Sequence, residues 1–160
     1  HGRIVTDVET TYLAPTDYSP SLPDLAGARS DTNLIERNTE PQAPPEGQER
    51  LFELRRYTAS PGKLDDLNAR FRNHTLDLFA KHGMTNILYT MPIDADEEAS
   101  QILLYFLSHP SLPEALHAWE AFRSDPVWNK VREASQPDGV PLAAKVERWM
   151  LVPTKFSPLK

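Results

Sequence analysis

Residues 52–83 constrain the fold most strongly, because they predict a strand, a tight turn and a long helix in immediate succession. Bulky aromatic and aliphatic residues fill the first part, which is typical of a strand. Ser60-Pro61-Gly62 then provides an N-cap residue and a proline at the first helical position. The helix is expected to end at Gly83, and residues 84–91 predict a second strand. The globular part therefore opens with a strand, a helix and a strand.

The remaining globular sequence predicts two further strands around a second helical region. Residues 101–108 are an almost continuous apolar run, as in a central strand covered on both faces. Ser111 and Glu114 form a capping box at the start of one helix, and Asp125-Pro126 begins another. The last strand is expected over residues 142–152. This order predicts an α+β, ferredoxin-like βαββαβ fold, with a four-stranded antiparallel sheet and helices on one face.

The composition excludes several classes of function. The chain has 160 residues, no cysteine and a net charge of −6. The lack of cysteine excludes disulfides and thiolate chemistry, and the negative charge argues against nucleic-acid or anionic-membrane partners. No apolar run reaches the length of a membrane span, so we expect a soluble protein of the cytoplasm or of an organelle matrix. Fifteen prolines are present, six of them between Ala14 and Gln48; because that stretch has few apolar residues, we assign the folded domain to residues 50–160.

The N-terminal residues repeat the C-terminal ones. TDVETTYLAPTDYSP at 6–20 and AKVERWMLVPTKFSP at 144–158 share seven identical residues at an offset of 138, and Tyr18 stands opposite Phe156. Two interpretations stay open: residues 1–18 are the last strand of an upstream copy of the domain, or they are a native extra arm. In either case we expect this extra strand, predicted from Ile4 to Leu13, to occupy a sheet edge. Residues 19–49 have the composition of a linker.

The segment FELRRYTASPGKLDDLNARFRNHTLDLFAKHGM, residues 52–84, resembles the opening of the NIPSNAP family. The resemblance continues in WEAFRSDPVW at 119–128 and in AAKVERWMLVPTKFSP at 143–158. It implies a dimeric α/β barrel, in which two sheets meet face to face, as in the antibiotic-biosynthesis monooxygenases that the family resembles in fold. We therefore expect a homodimer, or a pseudo-dimer with a second NIPSNAP-like domain of a tandem protein.

His74 is the first candidate for a chemical role. It lies in the apolar stripe of the long helix, between Phe71 and Leu78, so we expect it to point at the sheet. There it could act as a catalytic proton acceptor or as an axial ligand of haem. A histidine packed in the core is the alternative interpretation. His109 precedes Pro110 and is expected to lie in a loop.

The other candidates would bind a ligand between the sheet and the helices. Arg55 and Arg56 alternate on the first strand, so one of them must face inward, where it could hold a carboxylate. An ion pair with Glu53 or Glu147 is the alternative. The aromatic residues could line an apolar pocket or simply pack as core. The candidate ligand-binding residues are Arg55, Tyr57, Phe71, Tyr89, Tyr105, Trp119 and Phe122.

The sequence leaves open whether the chain is an enzyme. Our first expectation is a domain that binds a small, partly apolar molecule, in a cofactor-independent enzyme of the oxygenase, isomerase or dehydratase type with His74 as the base. The alternatives are a non-catalytic interaction or assembly module and a haem-binding protein. No two histidines lie four residues apart on one helix, so we expect no metal site, and no cofactor unless haem binds.

Overall fold

The computed structural model describes residues 7, 10–21, 50–93 and 99–157. Its elements follow the predicted order. A π-helical turn, Phe71–Thr75, joins the first two helices, and a short 3₁₀ helix, Ala99–Gln101, precedes the fourth strand. The strands are β1 (Leu13–Pro15), β2 (Leu51–Ala59), β3 (Thr85–Pro92), β4 (Ile102–His109) and β5 (Ala143–Leu151). The helices are α1 (Leu64–Arg70), α2 (Leu76–Lys81), α3 (Leu112–Ser124) and α4 (Pro126–Ala134), and none of these described helices is long and apolar enough to cross a membrane.

The sheet has five strands in the order β1-β3-β4-β2-β5, and every neighbouring pair is antiparallel. Strands β2 to β5 form the predicted four-stranded ferredoxin-like sheet. Strand β1 adds to the edge of β3, which confirms that the extra strand occupies a sheet edge. Its paired part is Leu13–Pro15. Residues 4–6, 8 and 9 of the predicted strand and residues 22–49 of the predicted linker lie outside the described residues. Of the described part of the predicted strand, Leu13 alone belongs to β1.

The core lies between the sheet and the helices and is mainly aromatic. Tyr89 and Tyr105 are fully buried on neighbouring strands, and their rings stack with centroids 5.1 Å apart. Phe71 contacts both rings, and Phe79 connects this group to Trp119. Alternate residues of a strand point to the same side, so these side chains share the face that the helices cover. We call it the helix face.

The opposite side of the sheet, which we call the open face, carries an apolar row. Leu88, Phe106, Leu54 and Trp149 are cross-strand neighbours on β3, β4, β2 and β5. The first three are half-buried, and 44% of Trp149 is exposed. In the part of the chain that the structure describes, the large buried residues of the helices pack on the helix face. The open face is therefore an apolar surface of the kind that marks an interaction site.

The long helix departs from the predicted stripe at its centre. Phe71 and Thr75 are buried, but His74 is exposed. The π-helical turn is the cause, because a single π turn adds one residue to the helix and shifts which positions face the sheet. The hydroxyl of Thr75 donates to the carbonyl of Arg70 across the turn (3.1 Å). The expectation that His74 points at the sheet is wrong.

Candidate functional site

A buried carboxylate organises the polar groups of the helix face. Glu53 is fully buried on β2. It accepts hydrogen bonds from Nη1 of Arg55 (2.7 Å) and Nε1 of Trp119 (2.7 Å), and its Oε2 lies 2.9 Å from Nε2 of His109. A buried charge is tolerated only when it is paired and hydrogen-bonded, and these three contacts meet that condition. We call these four residues the Glu53 network.

The charges of the Glu53 network stabilise each other. Burial raises the pKa of Glu53, but hydrogen bonds from His109 and Trp119 and the charge of Arg55 outweigh burial and leave the pKa below its ordinary value. Burial lowers the pKa of Arg55, but neighbouring tyrosines and the carboxylate outweigh it and raise the pKa above its ordinary value. The pair therefore stays ionised as a buried anion and cation.

His109 is the buried imidazole of this network. It is the last residue of β4 and is 1% exposed, so the expectation that it lies in a loop is wrong. Its Nδ1 has no hydrogen-bond partner within the described residues. With the tautomer in which Nε2 donates to Glu53, Nδ1 presents a lone pair and can accept a proton. A carboxylate that orients a histidine in this way is a common arrangement of a general base.

Arg70 is a second buried cation, on α1, and 7% of it is exposed. Its Nη1 donates to the hydroxyl of Ser135 (3.3 Å), and its guanidinium carbon lies 5.2 Å from the ring centroid of Trp128. Its Nε lacks a hydrogen-bond partner, and no carboxylate pairs with it among the residues described. Burial lowers the pKa of Arg70. The positive charge is thus buried without a counter-charge.

Two tyrosines lie close to both buried arginines. Burial has the largest effect on the pKa of Arg55 and of Arg70 and lowers both. The next largest effects come from Tyr57 and Tyr105, which raise the pKa of both arginines. The guanidinium of Arg55 lies 5.4 Å from the ring centroid of Tyr57 and 6.0 Å from that of Tyr105. The hydroxyl of Tyr105 is buried without a partner in the described part of the chain, and burial raises its pKa, so it stays protonated. Tyr57 and Tyr105 therefore interact electrostatically with both buried arginines.

A shallow depression lies on the surface formed by α4 and the turn that precedes β5. Its volume is about 500 Å³. Ser135, which accepts from Arg70, lies within the chain segment that forms it, and Arg132 is close enough to Arg70 to lower its pKa further. The depression is lined by Arg132, Glu133, Gln136, Gly139 and Pro141.

The structure brings the seven predicted ligand-binding residues into one cluster and leaves His74 outside it. Arg55 lies over the ring of Trp119 (4.2 Å), while Tyr57, Phe71, Tyr89 and Tyr105 form a continuous set of ring contacts. Phe122 contacts Trp119 at the other end. Sequence reasoning did not select His109 and Arg70 for this site, and it named Glu53 only as an alternative ion-pair partner of Arg55. The position of Glu53 two residues before Arg55, on the same strand face, is the signal that could have found it.

The sequence profile of the NIPSNAP family matches residues 52–158, about two thirds of the chain. This chain belongs to the NIPSNAP family. The matched range contains the whole Glu53 network, Arg70, strand β2 from Phe52 onwards and strands β3 to β5. Strand β1 precedes it and is an addition to the NIPSNAP domain. Among curated proteins, none is similar in sequence at a significant level.

Solved NIPSNAP structures share this fold. A NIPSNAP family protein of unknown function from Agrobacterium tumefaciens superposes with a TM-score of 0.58 and 17% identity, covering 71% of this chain and 96% of that chain. A second protein from the same organism gives 0.59 and 20%, covering 71% and 93%. A NIPSNAP-like domain protein from Burkholderia xenovorans gives 0.57 and 16%, covering 69% and 90%. At these identities the similarity shows the fold alone.

Proposed function

We propose that this NIPSNAP domain binds a small, partly apolar molecule with an acidic group, between the sheet and the helices. The observation that carries the proposal is Arg70, a buried guanidinium that no carboxylate neutralises in the described part of the chain. A buried charge without a partner costs several kcal/mol, and a ligand carboxylate would recover part of that cost. Arginine suits this task because its planar donors match the two oxygens of a carboxylate.

The surroundings of Arg70 supply the rest of the site. The unpartnered hydroxyl of Tyr105 and Nε of Arg55 are further donors for the acidic group. The rings of Tyr57 and Trp128 provide an apolar wall, since both lie in partly buried positions against the core. A ligand that carries both a carboxylate and a ring fits this combination.

In this proposal His109 replaces His74 as the proton acceptor. Chemistry of the cofactor-independent oxygenase, isomerase or dehydratase type requires a base inside the site, and an exposed histidine on the helix surface cannot provide it. His109 is buried, and Glu53 orients its ring so that Nδ1 is the accepting atom. Glu53 therefore holds the imidazole in the orientation of a general base.

Benzoate is a suitable probe, because it combines a carboxylate with one aromatic ring. We expect benzoate to raise the thermal midpoint of the wild-type protein and to give a measurable binding heat, whereas benzamide, its neutral analogue, does neither. Arg70→Met should weaken benzoate binding at least about tenfold, which corresponds to the loss of one charge-assisted hydrogen bond.

Arg72→Met is the matched control. Arg72 lies two residues further along the same helix but is exposed and pairs with Asp17. Benzoate should bind the Arg72→Met variant as it binds the wild type. Equal binding to the wild type and to Arg70→Met, or equal binding of benzamide and benzoate, would refute the acidic-ligand site.

A second candidate function is assembly, and the open face favours it. We propose that this face packs against the sheet of another NIPSNAP domain, so that the row from Leu88 to Trp149 is buried between the two sheets. Trp149 lies at the β5 end of that row, and Leu151, two residues further along β5, is 39% exposed. Trp149→Glu should abolish concentration-dependent association in sedimentation experiments. Association that survives Trp149→Glu would exclude the open face as the interface.

Haem binding stays a prediction. Its test is a Soret band on adding haemin to the wild type that His74→Ala lacks. The exposed position of His74 means that a haem bound there would sit on the outer surface of the helix.

A further inference from the structure

The two copies of the internal repeat make different contacts. In the N-terminal copy, the amide of Thr16 donates to the carbonyl of Tyr89 (2.9 Å), and the amide of Tyr89 donates to the hydroxyl of Ser19 (3.0 Å). The β1 pairing and these two bonds fix residues 13–19 along the β3 edge. We call residues 13–19 the N-terminal arm.

Side chains of the long helix hold the end of the N-terminal arm. The hydroxyl of Tyr18 donates to Oδ1 of Asn68 (2.6 Å), and its ring packs 5.6 Å from that of Tyr89. Arg72 donates through Nε and Nη2 to the two carboxylate oxygens of Asp17 (2.8 and 2.7 Å). The acceptor surface for the arm thus consists of the β3 edge, Asn68 and Arg72.

The C-terminal copy, residues 151–157, has the same turn but a different environment. The amide of Ser157 donates to the carbonyl of Thr154 (2.9 Å), as the amide of Ser19 does to that of Thr16 (3.2 Å). Phe156, which corresponds to Tyr18, is 89% exposed. A large aromatic side chain on a preformed turn is thus presented to solvent. We call residues 151–157 the C-terminal arm.

The two arms also differ in charge where the N-terminal arm meets Arg72. Lys155 of the C-terminal arm stands in the place of Asp17, and Phe156 lacks the hydroxyl that Asn68 accepts in the N-terminal copy. The C-terminal arm of a second copy of this chain would bring Lys155 against Arg72, two like charges. It would also find the β3 edge already paired with β1. A second copy is therefore a poor acceptor.

We propose that the C-terminal arm docks on the β3-equivalent edge of a different NIPSNAP domain, one with an acidic residue in place of Arg72 and an apolar residue in place of Asn68. This inference rests on the sheet pairing proposed above but concerns only the arm contact; self-association through the open face does not require it. Strand addition supplies the hydrogen bonds, Phe156 fills the position of Tyr18, and Lys155 selects the acidic acceptor. The charge reversal makes this arm contact heterologous.

An engineered acceptor tests this rule with the chain itself, because the protein has no native cysteine. The acceptor is Arg72→Glu/Pro92→Cys, in which residue 72 repels Asp17 and attracts Lys155. The donor is Leu151→Cys, since Leu151 corresponds to Leu13, the partner of Pro92 in the β1–β3 register. Directly opposed residues on antiparallel strands lie within disulfide range. The readout is the yield of mixed disulfide when the two proteins are combined.

We expect the acceptor Arg72→Glu/Pro92→Cys to give about threefold to tenfold more mixed disulfide than an acceptor with Pro92→Cys alone. This is the scale of one exposed charge pair that changes from repulsion to attraction. Adding Lys155→Glu to the donor should remove the gain. Adding Asp17→Lys to the acceptor should also remove it, because the N-terminal arm then pairs with Glu at position 72 again.

A yield independent of the residues at 72 and 155 would overturn the proposal. Circular dichroism of each variant separates that result from a loss of folding, and the exposed positions of Arg72 and Lys155 make them tolerant of charge reversal. If Trp149→Glu lowers the yield but the yield does not depend on residues 72 and 155, sheet pairing holds and arm selectivity fails. The two proposals are thus tested separately.

Discussion

Strand β2 carries two ion pairs on opposite faces of the sheet, and they differ mainly in solvent access. Glu53 and Arg55 pair at 2.7 Å on the helix face, with side chains 0% and 10% exposed. Arg56 and Glu147 pair at 2.9 Å on the open face, with side chains 33% and 27% exposed. The first pair has lost its water and depends on further donors, whereas the second is still hydrated. The same chemical pair is thus an essential part of the core on one face and a replaceable contact on the other.

Two tryptophans provide the largest test of this difference. Trp119 is 4% exposed on the helix side and donates to Glu53, whereas Trp149 is 44% exposed on the open face. We expect Trp119→Ala to lower the free energy of unfolding by about 3–5 kcal/mol, the range for a buried aromatic residue. Trp149→Ala should cost about 1 kcal/mol or less in the unpaired chain. Urea denaturation of both variants checks the comparison, and similar losses would contradict it.

The acid response of Glu53 should be the next largest effect. Its pKa is lower in the folded state than in the unfolded chain. Its contribution to the free energy of unfolding is therefore fully present above the ordinary glutamate pKa of about 4.3, and it is lost as the pH falls through the lower pKa of the folded state. At pH 7, Glu53→Gln should be less stable by about 1–3 kcal/mol, because the charged acceptor is lost. The stability curves of wild type and variant should converge on acidification. Parallel curves between pH 6 and pH 2 would show that Glu53 does not titrate as described.

The open-face ion pair should give the smallest effect. Arg56→Ala should change the free energy of unfolding by about 0–1 kcal/mol, and added salt should reduce the difference further. Thermal denaturation at low and high ionic strength measures both quantities. A loss as large as that of Trp119→Ala would mean that the open face is as tightly organised as the helix face.

The order of elements could be predicted from local signals. The capping residue Ser111 and Asp125-Pro126 marked helix starts that the structure confirms. Ser60-Pro61-Gly62 forms a turn, and α1 begins only at Leu64 after Lys63, so the expectation that Ser60 is the N-cap and Pro61 the first helical residue is wrong. Because strands β2 to β5 alternate with helices in a recognisable order, the sheet topology followed. The edge position of β1 followed from the need of a lone strand for a partner.

The site was harder to predict, because its residues break local patterns. His74 shares the helical spacing of Phe71, but the π-helical turn moves it off the buried face, and no spacing rule anticipates such a turn. Glu53 and Arg70 are charged residues that sequence patterns assign to solvent, yet both are buried. Only the packing of distant elements, such as Trp119 above Glu53, explains why they are inside.

The most direct test of the two-face account is acrylamide quenching of two single-tryptophan proteins. Trp128→Phe/Trp149→Phe leaves only Trp119, and Trp119→Phe/Trp128→Phe leaves only Trp149. We predict that Trp119 is protected at every protein concentration, whereas Trp149 is quenched at low concentration and becomes protected as the domains pair. Quenching of Trp149 that does not change with concentration, or ready quenching of Trp119, would contradict the account.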